Sequence, residues 1–334
     1  MTEELLTERR GRAGIVTLNR PKALNSLTHV MVDAFTEALE RWRDDDAVAL
    51  VIVRGAGDRG LCAGGDIASL YDNARNAPEK SDAFFADEYA LNEMIADYPK
   101  PYVALMNGVV LGGGVGVSAH GSHRIVTDDS RIGMPEVGIG LFPDVGGTWL
   151  LTNAPHHLGR HFGLTGAHMS AADAIETGFA DHFVPHGRLE ELVDTLCETG
   201  DPGRIDELAQ DAPGGIEVDR AALAAAYDAD TAEEILANLR ASDEDWAQDA
   251  AKRIARSCPM SIKVALEGQR RAQGLPLTEA LAQDLRVAGV MHRRPDFAEG
   301  VRAQIIDKDR NPQWQPDALD QISDADVDAV FVGH

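Results

Sequence analysis

Two carboxylates, Glu136 and Asp144, stand in the run Met134-Pro135-Glu136-Val137-Gly138-Ile139-Gly140-Leu141-Phe142-Pro143-Asp144-Val145-Gly146-Gly147, which has almost no other polar side chain. Gly and Pro at this density specify turns, and acids held among apolar neighbours acquire shifted proton affinities that suit acid–base chemistry. A purely structural reading competes with this one. Glu136 can open a helix after Pro135, and Asp144 can cap a helix running through Trp149 and Leu150.

The elements upstream favour chemistry. Residues 101–106 read as a buried strand that runs into Asn107-Gly108-Val109-Val110-Leu111-Gly112-Gly113-Gly114-Val115-Gly116, a tight turn opening a helix. Glycines there let backbone N–H groups approach a ligand closely. At a helix N-terminus those groups suit a phosphate, or an oxygen that gains negative charge during reaction. Residues 47–54 repeat the grammar, a strand followed by Gly55-Ala56-Gly57 and then Cys62-Ala63-Gly64-Gly65-Asp66-Ile67. Two such turns on neighbouring strands can each offer one N–H to the same oxygen, which polarises an ester or thioester carbonyl for attack.

These residues resemble the crotonase (enoyl-CoA hydratase/isomerase) superfamily. The likeness is carried by Asn19-Arg20-Pro21-Lys22-Ala23-Leu24-Asn25, Cys62-Ala63-Gly64-Gly65-Asp66-Ile67, Asn107-Gly108 with Gly112-Gly113-Gly114, and Pro135-Glu136 followed by Gly146-Gly147-Thr148, in order over most of the first 190 residues. Within the superfamily the chain is most similar to the 3-hydroxyisobutyryl-CoA hydrolases. That finer likeness rests on Gly140 to Gly147, the Gly113-Gly114-Val115-Gly116 run, Phe84-Phe85 with Glu88-Tyr89 and Asn92, and the tail Phe297-Ala298-Glu299-Gly300-Val301-Arg302-Ala303 with Ile306-Asp307-Lys308-Asp309.

The resemblance implies an α/β fold with a crotonase-type ββα spiral core and a helical C-terminal region. It implies an acyl-CoA thioesterase acting on 3-hydroxyisobutyryl-CoA or a similar short 3-hydroxyacyl-CoA, as in valine breakdown. Gly65 and Gly113 would supply the N–H pair of the oxyanion hole, and Glu136 the principal catalytic carboxylate. Asp144 would orient water or the substrate hydroxyl, and Glu88 would contact the substrate. Hydratases of the superfamily carry their first acid two residues after the central glycine triplet, where this chain has Gly116, and a glycine where it has Asp144. An acid moved to a new place argues for a changed reaction on the same polarised thioester. An enoyl-CoA hydratase is the alternative reading. A non-catalytic acyl-CoA scaffold is a third, raised only by Thr148-Trp149-Leu150-Leu151 after the glycine pair, where the hydrolases more usually continue with Gly and an aromatic.

Composition bounds the partners. The 334 residues are 44% hydrophobic and 26% charged, enough for a sizeable core in one or two domains. A net charge of −24 disfavours nucleic acid and anionic membranes. The polyanionic CoA moiety then needs local positive charge, for which Arg20, Lys22 and Lys263 are candidates. CoA is part of the substrate, and no separate cofactor or metal is expected; a homo-oligomer is left open. Cys62, Cys197 and Cys258 have neither metal nor disulfide spacing, which points to a reducing compartment. The acidic start and the lack of a long apolar run point to the cytoplasm rather than secretion, a transit peptide or a membrane.

Residues 1–200 are expected to form the core with the active site, and residues 201–334 a helical region covering it. A helix near 28–43 carries Val30, Phe35, Leu39 and Trp42 on its apolar side, and residues 85–92 are helical. From 202 to 257 the chain turns Asp-, Glu- and Ala-rich, with a looser stretch at 212–215. Two patterns invite overreading. His156, His157, His161 and His168 lie close together, but no glutamate and no third ligand complete a zinc motif, so they read as surface histidines. Gly114-Val115-Gly116-Val117-Ser118-Ala119 fits a dinucleotide fingerprint, but the acid at the expected distance, Glu136, follows a proline instead of ending a strand.

Overall fold

The hairpin Leu5–Arg10 (β1) and Ala13–Leu18 (β2) starts a six-stranded sheet, with Leu5 opposite Leu18 and Arg10 opposite Ala13. The computed structural model describes residues 2–332. Beyond β2 every pairing is parallel: Leu50–Gly55 (β3), Tyr102–Leu105 (β4), His123–Val126 (β6) and His182–Phe183 (β8) follow in that order across the sheet. Val109–Leu111 (β5) pairs with Arg131–Gly133 (β7) in a separate two-stranded ribbon. The fold is mixed α/β, as the strand-to-helix alternation predicts.

The described chain divides into two compact units built from non-consecutive segments. The first comprises Met1–Gly65, Asp87–Ile132 and Met169–Ile216; the second comprises Asp66–Ala86, Gly133–His168 and Glu217–His334.

The first unit holds the sheet. Parallel strands buried on both faces must be apolar throughout, and β3 meets this with Leu50, Val51, Ile52 and Val53 all fully buried. One sheet face, with Ile15, Ile52, Val103 and Ile125, packs with Leu189, Leu192, Val193 and Leu196 of the helix Leu189–Thr199. The helix His29–Arg43 starts where Thr28 Oγ1 accepts a hydrogen bond from the Met31 amide, and it buries Met31, Val32, Phe35, Ala38, Leu39 and Trp42. Val30, expected on the apolar side, is instead 56% exposed, because Met31 and Val32 take the inward positions beside it. Gly14 makes room for the Trp42 indole: a Cβ there would fall 2.6 Å from the ring.

The second unit is helical. Its helix Pro259–Ala272 buries Met260, Ile262, Val264, Ala265 and Leu266, and it packs with Gly147–Asn153, Leu158–Thr165, Leu277–Met291 and Asp324–Val332. Thr231 and Glu234 form a reciprocal capping box that opens Ala232–Ala241. Residues 212–215, expected to be loose, carry no helix or strand. No described helix is long and apolar enough to cross a membrane.

Candidate active site

In the first unit the chain leaves β5 through Gly112, whose φ of +50° and ψ of −119° only glycine adopts readily. The helix that follows, Gly113–Gly116, is a single turn. Its macrodipole is therefore slight, and what it can offer a ligand is individual amides rather than the field of a long helix. The segment from Leu61 to Gly65 is laced beside it. Leu61 and Cys62 amides donate to the Asn107 and Val109 carbonyls at 3.0 and 3.1 Å, the Leu111 amide donates to the Cys62 carbonyl at 2.9 Å, and the Leu27 amide donates to Gly64 at 2.8 Å. The fully buried Cys62 thiol is pushed up to about 12 by burial, which leaves it a packing group rather than a nucleophile.

A Cβ on Gly113 would fall against Glu88 Oε1 and 3.3 Å from both the Gly65 amide nitrogen and Leu27 Cδ1. The three expected residues of this unit, Gly65, Gly113 and Glu88, therefore surround one point. Glu88 is 2% exposed and lies in the helix Pro78–Ala96, which contains the expected 85–92 segment. One turn further on, Asn92 is fully buried, and both its amide atoms lack a hydrogen-bond partner among the described residues. Asn25 ties the preceding motif down: its Nδ2 donates to Ala56 and Gly60 carbonyls, and its Oδ1 accepts from the Arg20 amide.

In the second unit, Glu136 opens a one-turn helix, Glu136–Ile139, directly after Pro135, as the structural reading of the sequence allowed. Its backbone is fixed from both sides. The Leu141 amide returns to the Glu136 carbonyl at 3.1 Å, and the Cys258 amide donates to Val137 at 3.0 Å. Gly140, at φ +75°, presses against the Asp296 carbonyl, so a side chain there would clash as well as strain. Glu136 is 7% exposed.

Asp144 departs from its structural reading. It does not cap the next helix; Gly146 does, and the helix runs Gly147–Asn153. Asp144 instead sits in a turn closed by its carbonyl accepting from the Gly147 amide at 2.6 Å. Val145 and Gly146 both adopt left-handed backbone, at φ +52° and +75°. For a β-branched residue that conformation costs on the order of 1–3 kcal/mol and persists only where the surroundings over-determine it. Asp144 is 5% exposed.

What over-determines this turn is Asp284, a residue that the sequence reading missed. It lies on Leu277–Met291, fully buried; its Oδ2 accepts from the Gly146 amide at 3.0 Å and its Oδ1 lies 2.8 Å from Thr148 Oγ1. Burial, opposed by the Thr148 contact and reinforced by the Asp144 charge, raises its pKa well above the ordinary carboxylate range. A signal was present: Ala280, Leu281, Val287, Ala288 and Met291 form the buried stripe of that helix, and Asp284 falls in its middle.

Other sequence candidates separate. The Lys263 ammonium is committed to Glu233 Oε1 at 2.6 Å and the Ile322 carbonyl at 2.7 Å, and Lys22 is exposed. Arg20 donates to the Ser26 carbonyl at 2.7 Å and lies 3.4 Å from Glu4. His161 corrects the surface reading of the histidines: it is buried, with Nδ1 2.9 Å from the Tyr227 hydroxyl and its ring edge-on to Phe162 and Tyr227. His156 and His168 are exposed. Among the described residues His29, Asp33 and Asp87 bring ligand atoms within 4.8 Å of one another at an exposed position, where His29 also pairs with Asp87 at 2.6 Å.

The model of a family described as enoyl-CoA hydratase/isomerase matches residues 13–331. The chain is 38% identical to the mitochondrial 3-hydroxyisobutyryl-CoA hydrolase of Rattus norvegicus over 99% of this chain and 89% of that protein. It is similar in structure to a carnitinyl-CoA dehydratase from Mycobacterium thermoresistibile, with a TM-score of 0.95 and 46% identity, covering 99% of this chain and 96% of that one. It is also similar to an enoyl-CoA hydratase from Rhodobacter sphaeroides 2.4.1, with a TM-score of 0.93 and 39% identity over 99% and 97% of the two chains.

Proposed function

Because the chain belongs to the enoyl-CoA hydratase/isomerase (crotonase) family, we propose that it is an acyl-CoA thioesterase hydrolysing 3-hydroxyisobutyryl-CoA or a similar short 3-hydroxyacyl-CoA to the free acid and CoA. The observation that carries this reading is the pairing of Gly116, uncharged where the hydratases have their first water-holding acid, with Asp144, a buried acid where they have glycine. The hydrolase from Rattus norvegicus supports it.

In this reading the Gly65 and Gly113 amides stabilise the oxygen that becomes negative as the thioester carbonyl is attacked. Glu136 either attacks that carbon, forming a mixed anhydride and expelling the CoA thiolate, or removes a proton from the water that attacks it. In the first route water then cleaves the anhydride; in both, the products are one carboxylic acid and one thiol. Asp144 orients the water or the 3-hydroxyl, and Glu88 contacts the substrate. CoA enters as part of the substrate, no further cofactor takes part, and the reaction runs in the cytoplasm. A second reading, hydration or dehydration of an acyl-CoA, is favoured by the two solved structures described above.

Incubation with a panel of acyl-CoAs, following free thiol, tests the proposal. Release should be fastest with short 3-hydroxyacyl groups; a protein that releases no thiol from any of them is not a thioesterase. A single turnover in oxygen-18 water tests for the anhydride, because water attack at its Glu136 carboxyl carbon labels the enzyme, whereas direct water attack on the thioester labels only the product.

A further inference from the structure

The turn that carries Asp144 contains a proton-counting conflict. Thr148 Oγ1 lies 2.6 Å from the Pro143 carbonyl oxygen and 2.8 Å from Asp284 Oδ1. A hydroxyl has one proton to donate, and a carbonyl oxygen can only accept. If Thr148 donates to Pro143, an ionised Asp284 presents a second lone pair to the hydroxyl oxygen; if Thr148 donates to Asp284, the Pro143 carbonyl faces that oxygen with no proton between them. A proton on Asp284 Oδ1 removes the conflict, because Asp284 then donates to Thr148 and Thr148 donates to Pro143, while Oδ2 still accepts from the Gly146 amide at 3.0 Å.

The surroundings agree. Asp284 is fully buried, and the charge that acts on it among the described residues, the carboxylate of Asp144, has its own sign. An isolated carboxylate in such a place takes up a proton rather than remain ionised. The chain of bonds spans the turn, from Pro143 through Thr148 and Asp284 to Gly146, and Val145 is held left-handed within it.

We infer that Asp284 is a neutral carboxylic acid that clamps the Pro143–Thr148 turn and so positions Asp144. It is a positioning residue, acting through the turn and not on the substrate. The inference rests on the reading of Asp144 as an acid serving the acyl end of the thioester. A neutral clamp has a chemical advantage over an ionised one: it fixes the turn with directional bonds and leaves Asp144 as the turn's only negative charge.

Asn is the neutral isostere of a protonated Asp, able to donate through Nδ2 and accept through Oδ1. The test compares D284N and D284A in the full-length protein. The infrared difference between wild type and D284N at pH 8 should contain the C=O stretch of a protonated carboxylic acid, lost in the variant. D284N should keep thiol release within about twofold, while D284A should lose about tenfold or more in kcat, as loss of positioning does. In a D144N background the same Asp284→Ala change should cost less than about twofold, because the two act through one turn. If D284A does not fold, Thr148→Val breaks the same chain of bonds and takes its place. An infrared difference without the carboxylic-acid band overturns the protonated state. An equal loss from D284A with and without Asp144 overturns the positioning role. A wild type that releases no thiol at all counts against the thioesterase reading instead, and the infrared band still decides the state of Asp284.

Discussion

The glycine-lined surface around Gly113 and the acidic turn around Asp144 are built on opposite logics. At Gly113 the groups offered for chemistry belong to the main chain, and side chains are excluded: a Cβ would meet Glu88, the Gly65 amide and Leu27 at once. At Asp144 the group proposed for chemistry is a side chain and the main chain bears the strain, with Val145 left-handed and Gly146 held by a buried acid 138 residues away in sequence. Backbone donors are fixed by the turns around them, whereas a side-chain acid must be aimed by something else. The first region is therefore sensitive to added atoms, and the second to lost or altered charges.

The largest effect expected in this comparison is at Glu136. Glu136→Gln keeps shape and removes the charge, and thiol release should fall by roughly 100-fold or more while acyl-CoA binding persists. Near wild-type turnover by a folded variant would take Glu136 out of the mechanism.

Gly113→Val sharpens the contrast, because it adds atoms and removes no charge. A β-branched side chain at that point displaces a carbonyl oxygen from the amide, with a cost on the order of 10²-fold in kcat if one donor is lost. Full activity with normal folding would mean that the carbonyl is polarised elsewhere.

A smaller effect appears in stability. Asp284 holds its proton in the folded chain to higher pH than the unfolded chain, which loses it near pH 4. Above that pH the native state binds more protons than the unfolded one, so the wild type should lose stability relative to D284N as pH rises, by about 1.4 kcal/mol per pH unit until Asp284 itself ionises. Below pH 4 the gap should close. Urea unfolding of both proteins at pH 4, 6 and 8 measures this, and a gap independent of pH would show that Asp284 titrates normally.

The smallest expected effect is none. Cys62 lies beside the glycines but is fully buried, its thiol pushed by burial to about 12, so iodoacetamide at pH 8 should leave it unmodified in the native protein. Rapid alkylation would mean that this segment opens.

Much of both regions was legible in the sequence. Strand–glycine–helix punctuation placed β3 and β4, and the glycines at 65 and 113 meet in space because β3 and β4 are parallel neighbours. Pro135 before Glu136 marked a helix start, which the structure keeps to the single turn Glu136–Ile139. What was not legible came from distance and from packing. A lone Asp on an amphipathic helix looks like a solvated charge until its i±3 and i±4 neighbours are seen to be buried, so Asp284 passed unnoticed. The competing reading of Asp144 as a helix cap fails because the left-handed Val145, unfavourable for a β-branched residue, shifts the cap to Gly146. His161 read as surface because its partner Tyr227 lies 66 residues on.

The central claim is that Asp144 serves hydrolysis of a polarised thioester rather than hydration of a double bond. Steady-state assays of 3-hydroxyisobutyryl-CoA hydrolysis and crotonyl-CoA hydration, on wild type and Asp144→Gly, test it most directly. The account predicts thiol release by the wild type, a large loss of it in Asp144→Gly with CoA binding retained, and weak hydration by both proteins, since Gly116 still leaves one water-holding acid absent. Vigorous hydration by the wild type, with thioester hydrolysis untouched by Asp144→Gly, would contradict it.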